Sequence, residues 1–160
     1  MKSYEEGEQK PLPQGPMATV NEDIGAIRMI ASSKEHIVQL TRDGTVFTHG
    51  SGNYGIAGQG GSVGSLRPQL LKQLNDKRIV QVCCGQYHSL ALTHDGVLYA
   101  WGRGFEGQLG IAKHTTIVST PRYVKSLHRY KIKAIACGDA HSLALSDRGE
   151  LLGWGQNMQG

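Results

Sequence analysis

The chain has 160 residues, of which 22 are glycine and 5 are proline, with 19% charged side chains and a formal net charge of +4. No apolar run reaches the roughly 18 residues that a membrane-spanning helix needs, and the acidic N-terminus lacks the apolar core of a secretory signal. The composition also excludes a low-complexity linker, so the abundant glycine indicates tight turns between short elements.

The positive charge is unevenly distributed. Residues 1–23 carry two lysines against five acidic residues, so the rest of the chain holds a net charge of +7. A basic excess is typical of proteins that bind nucleic acid or acidic partners, and also of ordinary solvated surfaces. We therefore keep nucleic acid or chromatin only as a secondary class of partner.

The N-terminal segment 1–16 combines Glu, Lys, Gln, Gly and three prolines with almost nothing to bury. This composition predicts a disordered or extended tail. A short apolar run, 17–20, follows it. From residue 17 to residue 160 we expect a single partial array, with repeats at about 24–75, 76–128 and 129–160.

A sequence motif that begins with histidine recurs along the array. His88 and His141 both begin the run His-Ser-Leu-Ala-Leu, and His36 begins a weaker copy, at spacings of 52 and 53 residues. A period of this length indicates a tandem array of similar units.

The sequence pattern within each unit predicts four short strands. The first is an alternating apolar run at 26–30, 78–82 or 131–136, which is typical of a strand rather than a helix. The histidine-headed second strand follows, and a turn in which glycine supplies a positive φ joins it to the third, at 97–101 or 151–154. The turn residues are Asp43-Gly44, Asp95-Gly96 and Arg148-Gly149. A glycine-rich tract then leads to a looser fourth strand, at 68–71 and 122–124.

Four short strands in about 50 residues are typical of a propeller blade, in which neighbouring blades bury one another's faces. A parallel β-helix would have shorter coils, and helical repeats would show a 3.6-residue period that no segment has. The sequence therefore predicts an all-β propeller. The large aromatic residues of the third strands are assigned to packing between blades; they are Tyr99, Trp101 and Trp154.

The repeated sequence motif resembles the repeat of a known family. Cys84-Gly-Gln-Tyr-His-Ser-Leu-Ala-Leu, followed by Asp95-Gly, Tyr99-Ala-Trp-Gly and Gly107-Gln-Leu-Gly, is similar to the repeat of the regulator of chromosome condensation (RCC1) family. The resemblance covers about residues 24–160. It implies a seven-bladed propeller, of which this chain supplies about three four-stranded blades, the third incomplete. It also implies that 17–20 is a strand that completes the last blade of the ring.

Unit one departs from the repeat at three places. His49 stands where the other units have tryptophan, Ser33 where they have glycine, and Ile56 where unit two has glutamine. Such differences are typical of a terminal repeat, which packs differently on one side.

Two Cys-x3-His spacings, Cys84 to His88 and Cys137 to His141, have the residue types of zinc ligands. Because the two pairs occupy equivalent places in separate units, the repeat itself accounts for the spacing, and we expect no metal. The histidines are expected to hydrogen-bond to backbone within their own blade. The cysteines are expected to be reduced and buried, with Cys83 and Cys84 on opposite faces of their strand.

Other chemistry is not predicted. Gly102-x-Gly104-x-x-Gly107 has the spacing of a phosphate-binding loop, but no helical pattern follows, so we assign these glycines to turns and expect no cofactor. Ser89 and Ser142 each follow a histidine on a strand and would point away from it, so no nucleophile–base pair is expected.

Partner-binding residues are expected where the copies of the unit differ, because the residues that the copies share are explained by folding. The loop after the first strand differs in all three units. A basic stretch between units two and three is a second candidate, as a contact for phosphate or an acidic protein surface. The candidate residues are Lys34, Glu35, Gln86, Tyr87, Asp139, Arg122, Lys125 and Arg129.

A rigid ring with many loops on two faces is suited to binding. We therefore expect an intracellular protein-interaction scaffold, cytoplasmic or nuclear, and not an enzyme. The resemblance implies two alternatives: a guanine-nucleotide exchange factor for a Ran-like small GTPase, or a recognition module of a larger kinase, ubiquitin ligase or ciliary protein. In the exchange factors, loops of the form Gly-x-x-His help to contact the GTPase, some through acidic residues. Gly138-Asp139-Ala140-His141 has that form, whereas Gln86 and Tyr87 supply no acid.

Overall fold

The computed structural model describes residues 24–111 and 116–157. The predicted tail 1–16 and the apolar run 17–20 lie outside the described residues. Within the described ranges the chain forms β-strands and short 3-10 turns, and no helix there is long and apolar enough to cross a bilayer. The strands are β1 (Ile27–Ser32), β2 (His36–Thr41), β3 (Val46–Gly50), β4 (Ser65–Leu70), β5 (Ile79–Cys84), β6 (His88–Thr93), β7 (Leu98–Arg103), β8 (Ile117–Tyr123), β9 (Ile132–Cys137), β10 (His141–Ser146) and β11 (Leu151–Gly155).

The strands form three antiparallel sheets in which each strand pairs with the next one along the chain. Blade 1 is β1–β4 and blade 2 is β5–β8, each with four strands, and blade 3 is β9–β11, with three strands among the described residues. The first strands of the three blades pack against one another in order, β1 on β5 and β5 on β9. This arrangement is an arc of a β-propeller, and it confirms the predicted fold class.

The meander gives the arc two faces. The loops from first to second strand and the glycine-rich tracts from third to fourth strand lie at one end of the blades, which we call the loop face. The hairpins from second to third strand lie at the other end, with the connections from one blade to the next, which we call the turn face. This follows from the antiparallel pairing of every neighbouring strand.

The predicted hairpins are present, and a local hydrogen-bond network explains them. In blade 2, the Thr93 amide donates to the Val97 carbonyl over 2.9 Å, and the Thr93 hydroxyl donates to the Asp95 carboxylate. Gly96 completes the turn at a φ of 89°, a value that glycine adopts without steric cost.

The fourth strands begin earlier than predicted. β4 starts at Ser65 and β8 at Ile117, whereas the pattern indicated only 68–71 and 122–124. Both are edge strands of their sheets, with a proline inside and side chains as exposed as Leu66 at 97%. A strand at an edge tolerates proline and needs no alternating apolar pattern, so its sequence signal is weak.

Buried side-chain hydrogen bonds join the blades. His36 Nε2 lies 2.6 Å from Ser89 Oγ of blade 2, and His88 Nε2 lies 2.9 Å from Ser142 Oγ of blade 3. The Ser142 hydroxyl donates to the Gln108 carbonyl over 2.8 Å, so it accepts from His88, and the proton of the His88 ring lies on Nε2. For His36 and His88, the expectation that they bond to backbone within their own blade is therefore wrong, because a serine of the next blade supplies the partner.

The tryptophans occupy the same joints. Trp101 Nε1 donates to the Ile56 carbonyl of blade 1 over 2.9 Å, and Trp154 Nε1 donates to the Gln108 carbonyl of blade 2 over 2.8 Å. Trp101 is fully buried, which confirms its assignment to packing between blades. Gly110 has a φ of 64°, and a Cβ there would lie 2.9 Å from Trp154 Nε1, so the indole ring needs glycine at this position.

One departure of the first unit has a structural reason. In blade 2 the His88 ring packs directly on Gly85, where a Cβ would lie 2.1 Å from Cε1. In blade 1, Ser33 replaces that glycine, and its hydroxyl lies 2.9 Å from His36 Nδ1. The serine thus gives the first histidine a second polar partner, whereas His88 Nδ1 is buried without a partner among the described residues.

We predict that Ser142→Ala destabilises the chain. The change removes the acceptor of the buried His88 Nε2–H and a donor to the Gln108 carbonyl, so the free energy of unfolding should fall by about 1–3 kcal/mol. Urea titration followed by tryptophan fluorescence measures the change. The exposed Ser62 is the matched control, and Ser62→Ala should stay within about 0.5 kcal/mol. Equal losses for the two variants would contradict the structural role of Ser142.

The buried histidines also predict a pH dependence. Burial lowers the pKa of His36 and of His88 from the ordinary 6.5 to about 4 in the folded chain. Their neutral forms stabilise the fold fully above pH 6.5, and this stabilisation is lost as the pH falls from 6.5 to about 4. Each histidine should add about 1.4 kcal/mol per pH unit to the slope of the free energy of unfolding in that window.

Urea titrations at several pH values test this slope. His88→Gln should remove about half of the contribution that His36 and His88 make together, and the exposed His128→Gln is the matched control for the substitution. A slope that is the same in His88→Gln and in the unaltered chain would contradict the prediction.

Candidate functional site

Three of the predicted site residues meet at a cavity on the loop face. The loops β1–β2, β5–β6 and β9–β10 surround a volume of about 260 Å³, which we call the mouth. Lys34, Gln86 and Asp139 line it, one from each blade. The walls and floor are completed by Ser32, Ser33, Cys84, Gly85, Cys137 and Gly138.

The backbone of the mouth is held while its side chains remain available. The Gln86 amide donates to the Asp139 carbonyl over 2.9 Å and ties the loop of blade 2 to that of blade 3. In blade 1, the Ser33 hydroxyl accepts from the Glu35 amide over 3.1 Å. Lys34 and Asp139 are exposed. A lysine and a carboxylate are therefore presented from a fixed frame, which is what selective binding of a polar partner needs.

An aromatic cluster adjoins the mouth on the same face. It consists of Tyr54, Tyr87 and Phe105 around the guanidinium of Arg103. The Tyr54 ring lies 5.2 Å from that of Tyr87 and 6.5 Å from that of Phe105, both in edge-to-face arrangements. Arg103 Cζ lies 5.0 to 5.9 Å from the three ring centres. Because Tyr54 belongs to blade 1 and the other members to blade 2, the cluster spans the joint between these blades.

Polar contacts fix the arginine of the cluster. Arg103 forms a 2.8 Å ion pair with Glu106, and the Gln108 side chain donates to the same carboxylate over 2.9 Å. The Arg103 amide donates to the Tyr87 carbonyl over 2.8 Å. Phe105 nevertheless exposes 53% of its surface and Tyr54 exposes 41%. The cluster is thus an ordered but accessible group of the residue types that dominate binding energy at protein interfaces.

The basic candidates lie elsewhere. Arg122, Lys125 and Arg129 are exposed at the end of β8 and in the connection from blade 2 to blade 3, on the turn face. Arg129 also lines a second cavity, of about 310 Å³, with acidic neighbours, Asp147 and Glu150. The eight predicted residues therefore divide between two faces, with Lys34, Glu35, Gln86, Tyr87 and Asp139 on the loop face.

The residues predicted from the sequence do not include Tyr54, Arg103 or Phe105. They lie in the glycine-rich tracts, where the shared glycines drew attention to the turns. A signal was nevertheless present, because the tract positions between those glycines differ from unit to unit. Ser51 in unit one and Gln156 in unit three stand at the position of Arg103.

The adjacent cysteines of β5 have different neighbours. Cys83 and Cys84 lie on opposite sides of β5, as predicted: Cys83 Sγ is 2.6 Å from Cys137 Sγ of blade 3, whereas Cys84 Sγ is 3.7 Å from Ser89 Oγ. Burial raises the pKa of Cys84 to about 12, so it remains a thiol. No group of three or more potential ligands is assembled in the described ranges.

The histidine–serine contacts have the distances of nucleophile–base pairs. His36, Ser89, His88 and Ser142 are at most 2% exposed, however. The Ser142 hydroxyl is already committed to the Gln108 carbonyl. Because no substrate reaches these groups, the contacts serve the joints between blades.

Comparison with known proteins agrees with this architecture. The regulator of chromosome condensation (RCC1) repeat matches residues 43–92 and 95–145, and a second description of the same repeat matches 79–108 and 132–160. The human probable E3 ubiquitin-protein ligase HERC6 is 39% identical over 135 residues, 84% of this chain. The chain spans only 13% of the length of HERC6.

Solved structures show the same arrangement of blades. Human WBSCR16 superposes on 84% of this chain with a TM-score of 0.78 and 28% identity, and the match covers 34% of that protein. Prp20p from Saccharomyces cerevisiae, whose structure was described with its binding properties to Gsp1p and histones, covers 81% of this chain with a TM-score of 0.73 and 27% identity. The match covers 33% of Prp20p.

These comparisons extend over the three blades in which the joints, the mouth and the aromatic cluster were found. The chain belongs to the RCC1 repeat family.

Proposed function

We propose that this chain is the partner-recognition segment of a larger RCC1-type protein and that it binds another protein through its loop face. The observation that carries the proposal is the contiguity of the mouth and the aromatic cluster. Gln86 lines the mouth and the adjacent Tyr87 belongs to the cluster. One loop of blade 2 thus joins two groups of residues that the repeat does not explain.

The two groups would supply different parts of an interface. Partly exposed Tyr54 and Phe105 offer apolar area with little loss of side-chain entropy, and aromatic residues with arginine are enriched at binding hot spots. Lys34 and Asp139 offer charges of both signs, which give selectivity more than affinity. A partner with an apolar anchor beside a polar, charged segment has the complementary chemistry.

By comparison with HERC6, the larger protein that contains such a segment is proposed to be of the ubiquitin-ligase type. HERC6 is named as a probable ubiquitin ligase, and this chain resembles a part that is 13% of its length. In the described residues the histidine–serine pairs are buried in the joints. We therefore assign recognition, and no chemical step, to this segment.

Site-specific photocrosslinking tests the loop face. A photoreactive phenylalanine analogue at Phe105 should crosslink a partner protein, whereas the same analogue at Tyr123 on the turn face should not, although Tyr123 is 41% exposed. Arg103→Ala should weaken the 105 crosslink about 10- to 30-fold in partner concentration, because it removes the centre of the cluster. Arg122→Ala on the turn face is the matched arginine control.

Identical crosslinked species from both positions, or a 105 crosslink that Arg103→Ala leaves unchanged, would contradict the proposal. Thermal unfolding of each variant shows whether a lost crosslink reflects a lost fold.

A second function, nucleotide exchange on a Ran-like GTPase, is favoured by one observation. Asp139, in the loop Gly138-Asp139-Ala140-His141, is exposed at the mouth, where its carboxylate can meet a partner. A carboxylate there has the charge needed to compete with the nucleotide phosphates for their bound cation.

This second function predicts faster nucleotide release from a Ran-like GTPase in the presence of the chain. Both Asp139→Ala and Asp139→Asn should slow the release, because each removes the charge, whereas Asp147→Asn on the turn face should not. Fluorescent nucleotide release measures the rate. If a panel of small GTPases shows no acceleration, exchange is excluded and recognition through the loop face still stands on the crosslinking result.

A further inference from the structure

A pair of thiols crosses the joint between blades 2 and 3 beneath the mouth. Cys83, on β5, and Cys137, on β9, have their sulfur atoms 2.6 Å apart, although they are separated by 54 positions in the sequence. Both are free thiols, and both are partly buried. A disulfide bond is about 2.05 Å long, so the sulfur atoms would need to approach by only about half an ångström to bond.

The backbone around the pair is held in place from both sides. Two residues before Cys83, the Gln81 side chain forms two hydrogen bonds with the backbone of Ile135, of 2.8 and 3.1 Å. Beyond the pair, the Gln86 amide donates to the Asp139 carbonyl over 2.9 Å. The strands that carry the two sulfur atoms are thus already fixed in the geometry in which they meet.

The pair is peculiar to this joint. In the pairing of first and second strands, Ala31 opposes Val38 as Cys83 opposes Leu90, and Cys84 opposes Ser89 as Cys137 opposes Ser142. The joint between blades 1 and 2 therefore brings an alanine, Ala31, to the place where the next joint has a thiol. The contact between Cys83 and Cys137 is not a consequence of the repeat.

Small molecules can reach the Cys137 side of the pair through the mouth. Cys137 forms part of the lining of that cavity, with a volume of about 260 Å³, which is large enough for a peroxide and too small for a folded protein. The hydrogen bond with Cys83 and burial raise the pKa of Cys137. Because only the thiolate is the nucleophile, this raised pKa slows the reaction near neutral pH, and the reaction should be faster at higher pH.

We propose that Cys83 and Cys137 are an oxidation site that takes a peroxide as oxidant and forms a disulfide between blades 2 and 3. One thiolate attacks a peroxide oxygen, the O–O bond breaks, and a sulfenic acid and water form. The second sulfur then attacks the sulfenic sulfur, an S–S bond forms, and a second water leaves. Two thiols and one hydrogen peroxide thus give one disulfide and two waters.

The disulfide would connect β5 and β9, the strands that lead into the loops of Gln86 and Asp139, whose backbones are already hydrogen-bonded across the same joint. Its formation does not depend on whether the loop face binds a protein, so the oxidation site and the proposed function are tested separately.

Peptide mapping of the peroxide-treated 160-residue chain tests the proposal. Trypsin leaves Cys83 and Cys84 in the peptide 79–103 and Cys137 in the peptide 134–148. We expect these two peptides to be linked, with a mass lower by the two thiol hydrogens, and dithiothreitol to separate them. After unfolding in the absence of reductant, maleimide should label Cys84 alone. The rate of linking should rise with pH.

Three single variants locate the bond. Cys84→Ser should still form the link, whereas Cys83→Ser and Cys137→Ser should not. The proposal is overturned if the link persists in Cys83→Ser, if Cys83 and Cys84 bond to each other, if only intermolecular disulfides form, or if no link forms at peroxide concentrations that oxidise glutathione. The maleimide result on the unaltered chain decides the question where a variant does not fold.

Discussion

The carbonyl oxygen of Gln108 is the point at which the joint between blades 2 and 3 and the candidate site are held together. It accepts one hydrogen bond from the Ser142 hydroxyl and one from Trp154 Nε1, both from blade 3. The side chain of the same residue donates to Glu106, which forms the ion pair with Arg103. Because a buried carbonyl without donors is costly, the position of this tract depends on blade 3 being in place. The position of Arg103 depends in turn on the tract.

The joints explain why a propeller of this type tolerates so much variation between its blades. Histidine to serine and tryptophan to backbone carbonyl are polar, directional contacts, so they fix the register of neighbouring blades in a way that apolar burial alone does not. The apolar core fills the space between the sheets, and the polar contacts select one relative position of neighbouring sheets. Residues outside these contacts are free to differ, as Lys34, Gln86 and Asp139 do.

Much of the fold follows from the sequence, and the limits have physical causes. The period and the glycine turns predict the strands and the blades because each blade repeats the same local solution. The fourth strands are predicted too short, because an edge strand such as β4 carries little alternating pattern. The partners of His36 and His88 are predicted in the wrong blade, since a period reveals equivalent positions but not which side chains meet across a joint. Ser89 shows this, because it adjoins His88 in the sequence yet lies against His36 in space.

The candidate site is predicted only in part for a related reason. The differences between copies single out Gln86 and Tyr87, but the same comparison applied to the glycine-rich tracts also finds Arg103 and Phe105. The shared glycines lead to the assignment of the whole tract as a turn, so the variable positions between them are not considered as binding residues. Tyr54 is harder still to predict, since it reaches the cluster from the preceding blade.

Each part of the loop face lies across a joint: the cluster spans the joint between blades 1 and 2, and the mouth extends over all three blades. A displacement of one blade by a fraction of an ångström would change the distances within the site. The buried contacts of the joints thus also determine the relative positions of the residues that a partner would meet.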